Sequence, residues 1–147
     1  MEYFLLCSYL LAQGSIIEPG NWGRTLRLYS GDKNMNMSNP YKEQIYEKVR
    51  QDNFPDKPSR LECLFLCETI EESKLFKERN NRIFDLIYKV RLNDESKATF
   101  RADWEKVKFV DIDSIESIAH EYWSGVNISR PEILTLSSVE IIDLINS

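Results

Sequence analysis

The sequence predicts an α+β fold, and three observations carry that expectation. Strand-like runs and helix-like stripes are mixed along 147 residues, without the regular βαβ alternation that builds a parallel sheet. Residues 59–92 form the clearest unit: an apolar run, a polar turn at Thr69, a helical stretch, then a second apolar run. The length suits one domain, residues 1–147, around one core.

The elements follow in order. Residues 3–7 are a continuous apolar run and read as a buried first strand that gives way to a turn or short helix. Residues 14–23 hold three of the glycines, so the backbone there bends sharply or approaches something closely. Residues 24–29 read as a brief extended segment, and the polar stretch 31–39 as a loop. Asn39 and Pro40 suit a helix cap and a first helical position. Tyr41, Ile45, Tyr46 and Val49 then share a face at helical spacing. Residues 56–58 are a linker inside the domain. Residues 61–68 read as a strand and 70–80 as a helix, with Thr69 as cap and Glu71 and Glu72 favouring the helix start. Residues 83–92 alternate as a strand, whereas 99–110 settle on no period. A short helix starts at Asp113 and Ser114, with Ile115, Ile118, Ala119 and Tyr122 on one stripe. Residues 132–136 are a strand, and 139–145 a last apolar run.

Composition narrows the function classes. The chain is 42% hydrophobic and 29% charged, as ordinary globular proteins are. Its net charge of −5 disfavours non-specific binding to phosphate backbones. A local basic groove stays open, since Arg24, Arg27, Arg60, Arg79, Arg82 and Arg91 are available to build one. Cys7, Cys63 and Cys67 lie in or beside apolar runs and read as core residues of a reducing compartment. One CxxxC spacing and one histidine argue against a zinc site, and no metal is expected. The first eleven residues carry no basic leader and are too short to span a bilayer. A cytoplasmic protein without a membrane partner is therefore expected.

Several stretches together resemble a known family. They are residues 14–23 (Gly-Ser-Ile-Ile-Glu-Pro-Gly-Asn-Trp-Gly), the strand end Leu-Phe-Leu-Cys-Glu-Thr at 64–69 with its helix, and Ile-Tyr-Lys-Val at 87–90. To these add Ala-His-Glu-Tyr-Trp-Ser-Gly at 119–125 and Pro-Glu-Ile-Leu at 131–134. The chain resembles a small uncharacterised bacterial family, a domain of unknown function, with the ADP-ribosyltransferase-like fold. That resemblance implies a split mixed β-sheet with a few short helices, and NAD as substrate. It implies an NAD-dependent ADP-ribosyltransferase whose acceptor, protein or nucleic acid, is open. The alternative is a non-catalytic member of the fold that binds a nucleotide or a protein partner.

The resemblance also assigns residues. Glu132 matches the catalytic carboxylate at the start of a late strand. A carboxylate there stabilises the positive charge that develops on the ribose as the nicotinamide bond breaks. A solvated glutamate at a strand edge is the other reading. Phe65 stands where many such enzymes place a tyrosine against the nicotinamide, and stacking on its ring survives the change; it is otherwise core. The first strand lacks the His or Arg of the family, so Tyr3 or Ser8 would serve instead. Ser59 with Arg60 offers a guanidinium fork to a phosphate, or is a surface pair. Arg24, after the glycine-rich loop, is a second phosphate candidate. Tyr122 and Trp123 either close a pocket or belong to the core. His120 would tempt one as a general base, but its neighbours predict an exposed helix residue.

Overall fold

The computed structural model describes residues 2–29, 38–108 and 111–145, the side chains at 28, 29, 38 and 39 excepted. Seven strands, five α-helices and one 3-10 turn (Ile112–Ser114) make a mixed α+β architecture among these residues. The strands are β1 (Glu2–Cys7), β2 (Ile16–Ile17), β3 (Leu64–Leu66), β4 (Leu86–Leu92), β5 (Thr99–Asp103), β6 (Pro131–Thr135) and β7 (Val139–Ile145). The helices are α1 (Asn21–Tyr29), α2 (Ser38–Asn53), α3 (Ile70–Arg79), α4 (Glu105–Lys108) and α5 (Ile115–Ser124).

One sheet has the order β1-β4-β7-β2 and the other β3-β6-β5. Every ladder is antiparallel, where a mixed sheet was expected. The two sheets meet at a single bridge, Phe4 with Cys67. Both of its bonds form: Phe4 N donates to Cys67 O at 2.9 Å and Cys67 N to Phe4 O at 2.8 Å. Beyond that bridge β1 and β3 separate, which leaves a fork between the sheets.

Two apolar clusters lie on either side of β3 and β6. Because side chains alternate along a strand, Leu64, Leu66 and Ile133 enter one cluster with Leu5, Tyr88, Val90 and Ile141. Leu134 enters the other, with Tyr46, Val49, Phe100, Ala119, Tyr122 and Trp123, and Phe65 packs against it. All of β6 is buried as a result. The first strand is less buried than expected: only Leu5 is fully covered.

The helices account for most departures from the sequence reading. Residues 24–29 are helical, not extended, because α1 begins at Asn21. Gly20 O accepts from Arg24 N, and Trp22 and Leu26 face inward one turn apart. Gly23 packs against backbone, since a Cβ there would lie 2.1 Å from Leu61 O. On α2 the buried positions are Pro40, Glu43, Tyr46 and Val49, while Tyr41 is exposed. The expected loop lies mostly in residues 30–37, outside what is described; α2 starts at Ser38, so Asn39 and Pro40 lie inside its first turn rather than at the cap and the first helical position. The α3 start is as expected, with Glu72 N donating to Thr69 Oγ1 at 3.0 Å. The strands at 61–68 and 83–92 are shorter than expected, at β3 and β4. The ambiguous stretch after 99 divides into β5 and α4. Helix α5 ends at Gly125, whose φ of 70° is the left-handed C-terminal conformation glycine favours.

Candidate functional site

The site is built around a buried arginine. Arg60 leaves the loop that follows α2 and is 8% exposed, so it is not a surface residue. Its Nε donates to Glu43 Oε1 and Oε2 at 3.2 and 3.0 Å, and its Nη2 to Glu43 Oε1 at 3.1 Å. Nη1 donates to Glu132 Oε1 at 2.9 Å and to the Tyr122 hydroxyl at 2.7 Å. The Tyr122 hydroxyl in turn donates to Glu132 Oε1 at 2.8 Å. Above the guanidinium lie two aromatic faces, Phe65 at 4.9 Å and Tyr122 at 5.3 Å. One side chain thus ties α2, the loop before β3, α5 and β6 together.

The surroundings hold this arrangement rigid. Trp22 Nε1 donates to Glu43 Oε1 at 3.0 Å, which brings in α1. One turn further along α2, Glu47 accepts from Ser59 Oγ at 3.1 Å and pairs with Arg50, whose Nη1 donates to Lys57 O at 2.9 Å. The connection from α2 to Arg60 is therefore wired to α2 at two points. Trp123 Nε1 donates to Tyr46 O at 2.8 Å and pins α5 to α2. Edge-to-face rings, Tyr46 on Tyr122 and Tyr122 on Trp123, fill the space behind.

Electrostatics follow from two carboxylates sharing one guanidinium. Burial opposes the charge on Arg60, but Glu43, Tyr122 and Glu132 outweigh it and hold its pKa well above the usual value. Burial raises the Glu132 carboxyl, and the proximity of Glu43 adds to that; Arg60 and Tyr122 offset only part of it. Glu43 takes three of the arginine bonds and Glu132 one. Burial also raises the Tyr122 hydroxyl well above the ordinary tyrosine range, so it stays a donor at neutral pH.

Glu132 also faces the fork between the sheets. A pocket of about 50 Å³ lies there, lined by Leu6, Phe65, Leu66, Cys67, Phe76, Arg82 and Glu132. That volume holds a few waters, against the roughly 300–1,000 Å³ of a site for an organic ligand. Arg82 is half-exposed beside it and pairs with Asp85 at 2.5 Å. Burial pushes the Cys67 thiol up to about 12, so it stays protonated there. Cys63, likewise buried, is pushed up to about 12. Among the described residues no group of three or more His, Cys, Asp or Glu could hold a metal ion.

The structure brings Arg60, Phe65, Tyr122 and Glu132 into contact, with Ser59 beside them. It places the other three candidates elsewhere. Tyr3 is half-buried on β1 opposite Val90. Ser8 is exposed past the end of β1, and Arg24 is exposed on α1 with Nη1 donating to Pro19 O at 3.3 Å. Glu132 is at a strand start, as expected, but 5% exposed rather than solvated. Of the arginines named in the sequence, Arg79, Arg82 and Arg91 pair with Glu105, Asp85 and Glu140 in turn, and Arg60 is buried. His120 is half-buried, its ring edge-on to Phe54 at 6.1 Å. Sequence reasoning missed Glu43. The signal was there: it lies three residues before Tyr46 on the inward stripe of α2, and a carboxylate on such a stripe needs a buried partner.

A sequence profile described as "Protein of unknown function (DUF2441)" matches residues 20–147. The chain belongs to that family. No curated protein matches it. The DUF2441 match takes in Glu43, Arg60, Phe65, Tyr122 and Glu132, and so the whole arginine network. It begins after β1, whose Leu6 supplies one wall of the pocket. Among the described residues no helix is long and apolar enough to cross a membrane.

Proposed function

We propose that this DUF2441 chain is a non-catalytic binding module, with a nucleotide or a protein as its partner, in which Glu132 serves the scaffold. The observation that carries this reading is the engagement of Glu132 Oε1, which accepts from both Arg60 and Tyr122. A carboxylate that stabilises a developing ribose cation must present its charge to the substrate. Here the charge is already answered by a guanidinium, in a space a few waters wide.

One observation favours a second reading, an NAD-dependent ADP-ribosyltransferase with Glu132 as its carboxylate. Glu132 lines the fork between the sheets together with two aromatic rings, Phe65 and Phe76, and Arg82 stands beside them. An opening of that fork would offer a nicotinamide two faces to stack on, a carboxylate near the ribose and a guanidinium near the diphosphate. The acceptor would be a protein or a nucleic acid.

Calorimetric titration with NAD and with ADP-ribose, beside a label-transfer assay from NAD, separates the two. The binding-module reading expects no transfer from wild type or from Glu132→Gln. Transfer by the wild type that Glu132→Gln abolishes, at unchanged folding, would overturn it in favour of the transferase.

A further inference from the structure

The pocket in the fork between the sheets contains an unused acceptor. Glu132 Oε1 takes both the Arg60 and the Tyr122 bond, whereas Oε2 accepts no hydrogen bond among the described residues. Glu132 lines the pocket, and its side chain keeps 7% exposure. We propose that this pocket takes a primary alkylammonium group, carried by a small amine or by a lysine side chain of a partner. The inference rests on the binding-module reading and gives that module a cationic group to recognise.

Charge selects a cation. In the hydrogen-bonded network Glu43 and Glu132 face one guanidinium, so one negative charge is in excess. Lys42, beside Glu43 on α2, spends its ammonium on Val107 O. Arg82, at the pocket, is paired with Asp85. The Cys67 thiol, part of the pocket wall, senses the resulting sign. Burial raises its pKa most and a hydrogen bond with Ser73 lowers it; of the charges, Glu132 and Glu72 together raise it by more than Arg82 lowers it. Glu72 is half-buried, and its Oε2 has no hydrogen-bond partner. An ammonium beside Glu132 would supply a charge-assisted bond to Oε2 and offset the excess.

Size and walls select the form of that cation. The pocket's 50 Å³ admits about four water-sized groups at ~10–15 Å³ each, which fits an ammonium and three methylenes. Leu6, Phe65, Leu66 and Phe76 would cover the methylenes. A hard metal ion needs several oxygens, and no group of three or more His, Cys, Asp or Glu among the described residues could hold one. A guanidinium would bring five donors to a single free oxygen and leave most of them unpaired.

Titration of the full chain with n-propylammonium chloride, followed through backbone amide chemical shifts, tests this. The neutral control of the same length is n-propanol. Saturable shifts at Leu66, Cys67 and Glu132 are expected with the ammonium and not with the alcohol. Glu132→Gln, which removes the charged acceptor, and Leu6→Phe, which fills the pocket, should each weaken binding at least about tenfold. Should either variant fail to fold, the other carries the test. A lysine-containing peptide that binds more tightly than propylammonium marks a protein partner; weaker or equal binding marks a free amine. No saturation with the ammonium in the millimolar range, equal binding of propanol, or an affinity that neither substitution lowers would overturn the proposal. Label transfer from NAD would instead overturn the binding-module reading, so the two failures are told apart by different experiments.

Discussion

At the scale of the residue, Arg60 sets the character of the molecule. Removing it leaves two buried carboxylates without a cation, the situation in which breaking a buried pair costs about 3–5 kcal/mol. Arg60→Met should therefore lower unfolding stability by about that much in urea, although methionine fills much of the same space. Tyr122→Phe removes one hydroxyl that bonds to both Arg60 and Glu132. It should cost about 1.5–3 kcal/mol, the range for hydrogen bonds to charged groups. Glu132 adds a pH dependence whose sign is fixed by its raised pKa. The folded state holds the Glu132 proton to higher pH than the unfolded chain does. The stability linked to that proton is complete below the unfolded value of 4.5 and is lost as pH rises through the raised folded value. Wild type should accordingly gain on Glu132→Gln as the pH of paired unfolding curves is lowered from neutral toward that value. A difference between the two proteins that stays flat with pH would contradict the burial argument.

At the scale of the element, legibility tracks how local the cause is. Helix α3 was readable because its cap, Thr69, and its acidic first turn are sequence neighbours; Thr69→Ala should cost about 1 kcal/mol, measurable by thermal unfolding. Strand β6 was readable from its apolar run, whereas 139–145 showed only as an apolar run and forms β7. Helix α1 was misread because its decisive feature is distant: Gly23 sits in the helix to let Leu61 approach. Gly23→Ala should cost more than the glycine-to-alanine gain in helix propensity can offset, about 1–3 kcal/mol net of strain. A neutral or stabilising result in the same unfolding assay would mean that α1 does not pack on residue 61 in solution. The inward face of α2 was read correctly at Ile45, Tyr46 and Val49 but wrongly at Tyr41, and Glu43 was missed, for a related reason. Periodicity marks apolar positions, and Glu43 is an inward position that only a partner seventeen residues later makes tolerable. The candidate site was half legible. Glu132, Arg60, Phe65 and Tyr122 were picked from short stretches and do meet, but their pairing with one another depends on tertiary contacts that no spacing encodes.

At the scale of the whole molecule, two antiparallel sheets share one bridge, and the arginine network lies beside the fork they leave. Three helices, a loop and β6 converge there through side chains, so the network joins the apolar cluster around Trp123 to the strands next to the fork. This arrangement makes Arg60 and Glu132 partners in stability first. A double-mutant cycle in urea, with Arg60→Met, Glu132→Gln and the pair combined, measures that partnership most directly. The account predicts that the combined variant is at least about 1 kcal/mol more stable than the sum of the single losses implies, within the range found for residues in one buried network. Additive losses would contradict it, since they would mean that Arg60 and Glu132 do not answer each other's charge in the folded chain.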